Sequence, residues 1–197
     1  IGPNGSGKSN LIEALGLLNA TPTSFATAIR DGGCAREWIW KGADAKSSAS
    51  IEAILNDAPV QGSKPRRELR YRLDFAAVGQ RTEVIDEIIE EAQKRRPSEP
   101  DVFFYYRFQA GNPVISKREV LGKKVVQSQL ERQSLKPDES VLSQRKDQDS
   151  YPELYWIGEQ FSKIQLFRDW GFGRYNEVRR AQSTDLPAET LLFDSRN

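Results

Sequence analysis

Alternating apolar and polar residues mark the middle of the chain as β structure. The period of two is strongest at 69–75, where Leu, Tyr, Leu and Phe fall on one face of a strand. The segment 82–89 reads as a second strand that pairs back on the first as a hairpin. The predicted strands are 36–40, 51–55, 69–75, 82–89, 102–108, 114–116 and 164–167.

Apolar residues spaced three and four apart predict helices towards both ends. Leu11, Leu15 and Leu18 are spaced along one face of a helix that starts near residue 9. The segment 20–33 reads as a short helix closed by a Gly turn. The segment 151–163 has helical spacing with a proline near its start, as helices tolerate.

The first residues form a phosphate-binding loop. Residues 2–9 read Gly-Pro-Asn-Gly-Ser-Gly-Lys-Ser, the complete pattern G-x-x-x-x-G-K-[ST], and the first predicted helix follows at once. The glycines let backbone N–H groups point inward around phosphates at the positive end of that helix. Lys8 would reach the β- and γ-phosphates, and the Ser9 hydroxyl would bind Mg²⁺. The predicted nucleotide-binding residues are Gly2, Asn4, Gly5, Ser6, Gly7, Lys8, Ser9 and Asn10.

These elements predict an α/β fold in which an antiparallel β subdomain is inserted after the P-loop helix. The polar stretch 122–136 predicts a partly disordered link after that subdomain. The predicted parts are 1–34 with the P-loop and following helices, 35–120 with the β subdomain, 121–139 as the polar link, and 140–197 with helices and strands.

Composition narrows the class of protein further. The 29 basic residues nearly balance the 28 acidic ones, so net charge gives no sign of a surface that coats nucleic acid. The single cysteine, Cys34, excludes an internal disulfide and fits a reducing cytosol. No apolar run approaches the ~20 residues of a membrane span. We therefore expect a cytoplasmic protein without a membrane partner.

Beyond the phosphate loop itself, the chain resembles a known ATPase branch. Residues 2–10, with Asn10 after the loop, resemble the Walker A motif of SMC/RecF-like ABC-class ATPases. The stretches 36–42 and 69–73 are similar to predicted RecF-like AAA-family ATPases of bacteria. The resemblance implies a P-loop NTPase of ABC/RecF type that binds ATP with Mg²⁺. It also implies a homodimer that closes on ATP and reopens on hydrolysis, with DNA as a possible partner.

The resemblance also assigns a role to Gln144, which ends a short apolar run at 140–144. The family has a glutamine that touches Mg²⁺ and the attacking water, so Gln144 and Lys8 become catalytic candidates and Gln144 joins Ser9 as a metal ligand. A glutamine at the end of a strand is otherwise a solvated surface residue, and that reading stays open.

Other residues have both a functional and a plainer reading. Arg30 and Arg36 follow the P-loop helix where related ATPases place residues that reach nucleotide or DNA, although solvated loop arginines are the simpler account. Trp38, Trp40, Tyr105 and Tyr106 present faces on which a base could stack, but strand alternation favours core packing for at least half of them. Arg66, Arg67, Arg70 and Arg72 form a basic cluster, of which Arg70 and Arg72 share the polar face of a strand.

Hydrolysis in this class needs a Walker B strand, which is four apolar residues followed by Asp-Glu. The segment 84–87 has the acidic pair after only two apolar residues, and 191–194 has the apolar run with Ser195 where Glu belongs. No Leu-Ser-Gly-Gly signature is present, and the chain has no His to act as a switch histidine. We expect those parts beyond Asn197, so that the chain is an N-terminal lobe, inactive in hydrolysis alone.

Four functions remain open. The first is an ATPase head that acts in DNA maintenance or anti-phage defence. The second is the nucleotide-binding subunit of an ABC transporter, which should show its signature motif soon after Gln144. The third is a nucleotide or small-molecule kinase, which the long antiparallel insertion disfavours. The fourth is a scaffold that binds nucleotide without hydrolysing it.

Overall fold

The computed structural model describes residues 3, 7–44, 47–59, 67–109, 112–118, 125–131 and 134–167. Residues 1–163 form one compact unit and residues 164–197 a second, of which only 164–167 are described. The helices are α1 (Lys8–Ala20), α2 (Phe25–Asp31), α3 (Ala35–Trp38), α4 (Val141–Gln144) and α5 (Pro152–Ser162). The strands are β1 (Ala49–Ala58), β2 (Arg67–Val78), β3 (Arg81–Glu91), β4 (Phe104–Gln109), β5 (Asn112–Arg118) and β6 (Val125–Gln129).

The six strands form one antiparallel sheet in which each strand pairs with its neighbour along the chain, in the order β1-β2-β3-β4-β5-β6. The β2–β3 hairpin closes through Gly79 and Gln80, between the paired residues Val78 and Arg81. Gly79 has φ +62°, a backbone conformation that glycine adopts without steric cost, so its position suits a tight two-residue turn.

The core lies between the inner face of this sheet and the helices. Leu69, Tyr71, Leu73 and Phe75 of β2 are all 0% exposed, as their alternation predicts. Two edge-to-face ring contacts join the sheet to the helices, with centroid separations of 5.2 Å each: Phe75 with Phe25 of α2, and Tyr71 with Phe161 of α5. Such contacts bury large apolar areas, and they fix α2 and α5 on this face.

Two breaks in register shape the sheet. Between β2 and β3 the pairing steps from Asp74↔Asp86 to Phe75↔Val84, so that Ile85 is left over. Between β3 and β4 it steps from Ile89↔Tyr106 to Glu90↔Phe104, so that Tyr105 is left over. A bulge of this kind bends the strand locally, and it explains how Tyr105 and Tyr106, although adjacent on a strand, are 3% and 2% exposed.

The outer face carries a charge ladder, which we define as Glu52, Arg70, Glu90, Arg107 and Asp101. The Arg70 guanidinium contacts Glu52 of β1 at 2.9 Å and Glu90 of β3 at 3.0 Å. Arg107 of β4 contacts Glu90 at 2.9 Å and Asp101 at 2.9 Å. The charges alternate in sign across four strands, so each inner member has two opposite partners.

The beginning and end of the first unit meet through α1 and α5. Leu17 and Leu18 are buried, and the Thr21 hydroxyl donates to Leu18 O at 2.7 Å just after the last helical residue. Asn19 Nδ2 donates to Phe161 O at 2.9 Å. α1 is therefore anchored at its C-terminal half.

The predicted apolar face of α1 is only partly buried. Leu18 is 7% exposed, but Leu11 is 67% and Leu15 39% exposed. The spacing of these three leucines predicts that they share one face of the helix, but it does not predict that the whole face is buried. Burial depends on which tertiary partners cover the helix, and α5 covers its far end.

Most predicted strands and helices are confirmed, and three predictions are wrong: the strand at 36–40, the link at 122–136 and the strand at 164–167. Residues 36–40 read as a strand, whereas Ala35–Trp38 is a short helix that packs near β2. The predicted link at 122–136 contains strand β6, which pairs with β5. The apolar run at 140–144 is a helical turn, and 164–167 is neither helix nor strand. Short apolar runs fit both periods, so tertiary pairing decides them.

Candidate functional site

Gly7 forms the junction between the phosphate loop and α1. It is the N-cap residue, with φ +81° and ψ 11°. Apart from its two chain neighbours and the helix backbone, no atom of the described residues lies within 4 Å of the position that a Cβ would take. The first backbone bond of the helix runs from Leu11 N to Gly7 O at 3.1 Å. The N–H groups of residues 8–10 therefore precede that bond and have no partner carbonyl within the helix.

Lys8 and Ser9, the catalytic and metal-binding candidates of the loop, are the first two helical residues and are exposed. The Lys8 ammonium reaches back across the loop and donates to Pro3 O at 2.6 Å. This end of α1 carries no acidic residue in its first turn. An exposed helix N-terminus with a lysine and no carboxylate is an electrostatically favourable place for an anion. Asn10 follows on the same exposed turn, while Gly2, Asn4, Gly5 and Ser6 lie outside the described residues.

Gln144, the other catalytic and metal candidate, is the last residue of α4. Its amide holds the loop at 136–140: Oε1 accepts from Lys136 N at 2.7 Å, and Nε2 donates to Glu139 O at 3.0 Å. Weaker contacts of Nε2 reach Lys136 O at 3.3 Å and Ser140 O at 3.4 Å. In this structure the Gln144 side chain therefore stabilises the loop that precedes α4.

Glu87 of β3 is a functional candidate that the sequence analysis missed. It is 1% exposed and faces the core opposite Leu73. Its carboxylate accepts from Tyr71 Oη at 3.0 Å, from Ser140 Oγ at 2.5 Å and from Val141 N at 2.9 Å. Burial raises the pKa of Glu87 to about 7, although these three donors act to lower it. The glutamate thus caps α4 from a neighbouring element, and no spacing rule would reveal that.

Glu87 lies on the wall of a cavity of about 430 Å³ that we call the Glu87 cavity. Its apolar wall is formed by Val84, Phe108, Leu135 and Pro137. Its polar groups belong to Glu83, Glu87, Tyr106, Lys136, Glu139 and Gln144. The Val84 N–H donates to Pro137 O at 2.7 Å, which ties the loop wall directly to β3.

The segment 84–87, considered above for a Walker B strand, lies within β3. Asp86 pairs in register with Asp74 on the outer face, and Glu87 faces the core. Their side chains therefore point to opposite sides of the sheet, because successive residues of a strand alternate. The two carboxylates therefore cannot bind the same ion. This agrees with the expectation from the sequence that 84–87 is not a Walker B strand. The other segment, 191–194, lies outside the described residues.

Arg30 and Arg36 line a common cleft of about 310 Å³ together with Arg81, which the sequence analysis did not single out. Arg30 donates to Thr27 Oγ1 at 3.1 Å, and all three arginines are exposed. Arg81 comes from the β2–β3 turn, so only the fold places it beside the other two. We call this the arginine cleft; Asp138 is a carboxylate on its wall.

The described arginines of the basic cluster at 66–72 are neutralised by acidic partners. Arg67 contacts Glu91 at 3.3 Å, and Arg72 contacts Asp74 at 2.5 Å. Arg70 belongs to the charge ladder, and Arg66 lies outside the described residues. These side chains therefore stabilise the sheet face on which they lie.

Of the four aromatic candidates for base stacking, Tyr105 and Tyr106 are in the core, which agrees with the prediction of core packing for at least half of them. The bulge at Tyr105 allows both to be buried. Trp38 is half-buried, and its indole lies against Gly32. Trp40 is 79% exposed.

Within the described ranges, no group of three or more His, Cys, Asp or Glu side chains is placed to hold a metal ion. The helices of those ranges also include none that is long and apolar enough to cross a bilayer. Cys34 is a free, exposed thiol.

Comparison with protein families matches most of the chain. The family model described as "AAA domain, putative AbiEii toxin, Type IV TA system" matches residues 1–182. No curated protein and no solved structure matches the chain.

Proposed function

Because the chain belongs to this family of AAA domains, a family of P-loop ATPase domains, we propose that residues 2–10 bind the phosphates of ATP with Mg²⁺. The observation that carries the proposal is the start of α1. A glycine with φ +81° leads into an exposed helix N-terminus whose first residue is Lys8. Among the described residues, no side chain fills the space beside Gly7, so the backbone there can approach a phosphate group closely.

The residues present suit this ligand chemically. The N–H groups at the helix start and the Lys8 ammonium are donors for phosphate oxygens, and the Ser9 hydroxyl is an oxygen ligand of the kind that Mg²⁺ accepts. Lys8 would exchange its contact with Pro3 O for a phosphate oxygen. Bound Mg²⁺ would supply charge neutralisation for the phosphates.

ATP binding to Lys8→Ala tests this proposal directly. We expect at least a tenfold loss of affinity by calorimetry in the presence of Mg²⁺, because a charge-assisted contact to phosphate contributes about 1.5–3 kcal/mol. Lys146→Ala is the matched control, since Lys146 is an exposed lysine that does not belong to the loop. Unchanged affinity in Lys8→Ala would contradict the proposal.

We further propose the finer reading of the resemblance, an SMC/RecF-type head that closes as a homodimer on ATP and hydrolyses it in DNA maintenance or defence. Sedimentation of the protein with ATP and Mg²⁺ tests the closure, and a monomer at every concentration would count against it. In such a head Gln144 would contact Mg²⁺ and the attacking water, and its amide would first have to leave the loop at 136–140. Because that role concerns the attacking water, we expect Gln144→Ala to lower hydrolysis more than ATP affinity.

The arginine cleft favours a nucleic acid as partner. Among the described residues, the side chains of Arg36 and Arg81 form none of the ion pairs, and with Arg30 they line one cleft. Guanidinium groups of this kind pair with backbone phosphates without reading sequence. We expect Arg36→Ala with Arg81→Ala to weaken duplex DNA binding and to reduce its salt slope by about 2. Arg96→Ala, on an exposed turn, is the control, and equal binding by all variants would refute this role.

A further inference from the structure

The Glu87 cavity contains a buried carboxylate without a counter-cation. All three hydrogen-bond donors to Glu87 are neutral, namely Tyr71, Ser140 and the Val141 N–H. No described lysine or arginine forms an ion pair with it. A buried carboxylate is stabilised most effectively by an opposite charge, so the cavity beside it favours a positively charged occupant.

The other charged groups around the cavity also favour a positively charged occupant. Glu83 is half-buried at its wall and has no hydrogen-bond partner among the described side chains, while Glu139 accepts from Phe25 N at 2.8 Å. The lining cation is Lys136, which is exposed. Arg145 lies near Tyr106, and its guanidinium donates to Gln144 O and to Ser134. Above about pH 7, where Glu87 is ionised, three carboxylates against one lining ammonium leave the wall negative.

Tyr106 supplies an independent indication of a ligand. It is 2% exposed and lines the cavity, yet its hydroxyl makes no hydrogen bond to any part of the chain that the structure describes. The hydroxyl oxygen is not among the fully buried, unpartnered side-chain atoms of the described residues, so it belongs to the cavity wall and is not sealed in the core. Together with the apolar wall, this gives the arrangement typical of small-molecule sites, a concave apolar surface with a few convergent polar groups.

The wall of the cavity is formed before any ligand arrives. Gln144 holds the loop at Lys136 and Glu139, and the Val84 N–H holds it at Pro137. The volume of about 430 Å³ lies within the ~300–1,000 Å³ of typical ligand pockets. A preformed site loses little conformational entropy on binding.

We propose that the Glu87 cavity binds an organic cation with an apolar body, namely an amine or amidine on an aromatic or branched aliphatic group. The cationic head pairs with Glu87 and contacts the Tyr106 hydroxyl oxygen, and Glu83 adds negative charge at the wall. The apolar body lies against Phe108 and Leu135. The proposal does not depend on nucleotide binding at residues 2–10.

Three probes of nearly equal shape test it: benzamidine, which is cationic, benzamide, which is neutral, and benzoate, which is anionic. Binding is measured by titrating each probe into isotope-labelled protein and following backbone amide resonances. We expect benzamidine to shift the resonances of Glu83, Tyr106 and Gln144 and to bind at least tenfold more tightly than benzamide. Benzoate should not bind.

Two variants keep the test independent of folding defects. Glu83→Gln removes a charge from the wall and should weaken benzamidine about twofold to fivefold. Tyr106→Phe retains the buried ring and should weaken it about twofold to tenfold. Glu99→Gln, at a half-buried position that does not line the cavity, is the matched control for Glu83→Gln. Lys8→Ala should leave benzamidine binding unchanged, so failure here and failure of the ATP proposal are separable.

Two results would overturn the inference. Equal affinity for benzamidine and benzamide would mean that the cavity selects only an apolar shape. Shifts confined to residues outside the cavity, or no shift at the highest soluble concentration of benzamidine, would mean that the cavity takes no such ligand.

Discussion

Glu87 makes the stability of the fold depend on pH in an unusual direction. Burial raises the pKa of its carboxyl group from the usual 4.5 to about 7 in the folded protein. The folded state therefore binds this proton more tightly than the unfolded chain does. Between pH 4.5 and pH 7 the unfolded glutamate is ionised while the folded one keeps its proton, so the free energy of unfolding falls as the pH rises.

The size of the effect follows from the two pKa values. One pKa unit corresponds to about 1.4 kcal/mol at 25 °C, so a change from 4.5 to about 7 corresponds to about 3 kcal/mol. The contribution of Glu87 is complete below about pH 4.5 and is lost once the pH has passed about 7. For a fold of ordinary stability this is a large fraction of the total.

Glu87→Gln isolates this contribution, because glutamine has nearly the same shape and does not titrate. Urea unfolding of both proteins at pH 5, 6, 7 and 8 gives the difference between their unfolding free energies. We expect wild type to lose about 2–3 kcal/mol relative to the variant between pH 5 and pH 8, which is most of the full effect. Carbon NMR of the Glu87 carboxyl group gives its pKa independently. A difference that is constant with pH, or a Glu87 pKa near 4.5, would refute the reasoning.

Three further predictions concern stability, each measured by urea unfolding. Arg70→Met should lower the free energy of unfolding by about 1–3 kcal/mol, because Glu90 is buried and loses one of its two cations. Glu52→Gln, at the exposed end of the charge ladder, should lower it by about 0–1 kcal/mol. Equal losses for the two variants would contradict this account. Gly79→Ala should lower the free energy of unfolding by about 1 kcal/mol because of the positive φ of this residue. No described atom crowds the new methyl group, so backbone strain is the whole effect. An unchanged stability would show that the turn adapts. Phe25→Ala should cost about 3–5 kcal/mol, and a loss no larger than that of Ile54→Ala on the exposed face would refute its place in the core.

The strands of the central sheet were predictable because their burial follows the strand period. In β2 every second residue faces the core, so the sequence carries the information directly. Strand β6 was missed because Val125–Gln129 is short and polar and is defined by its pairing with β5. The helical turn Ala35–Trp38 was read as a strand, since four residues cannot distinguish a period of two from one of 3.6.

Whether a candidate site could be predicted also depends on whether its residues are contiguous in the sequence. The phosphate loop is contiguous in sequence, so its pattern alone predicts the residues that would hold a nucleotide. The arginine cleft combines two sequence candidates with Arg81 from a distant turn. The Glu87 cavity was not predictable, because it joins β3, β4 and the loop before α4, and its key property is the desolvation of one carboxylate.

The order of the strands has a consequence for how the chain folds. Every strand pairs with its immediate neighbour in sequence, so each hairpin closes a short loop at a modest cost in chain entropy. The contact of Asn19 with Phe161 spans 142 residues and carries a larger such cost. We expect the sheet to grow hairpin by hairpin and α1 to dock against α5 late. The start of α1, where a nucleotide would bind, is then among the last parts of the first unit to become ordered.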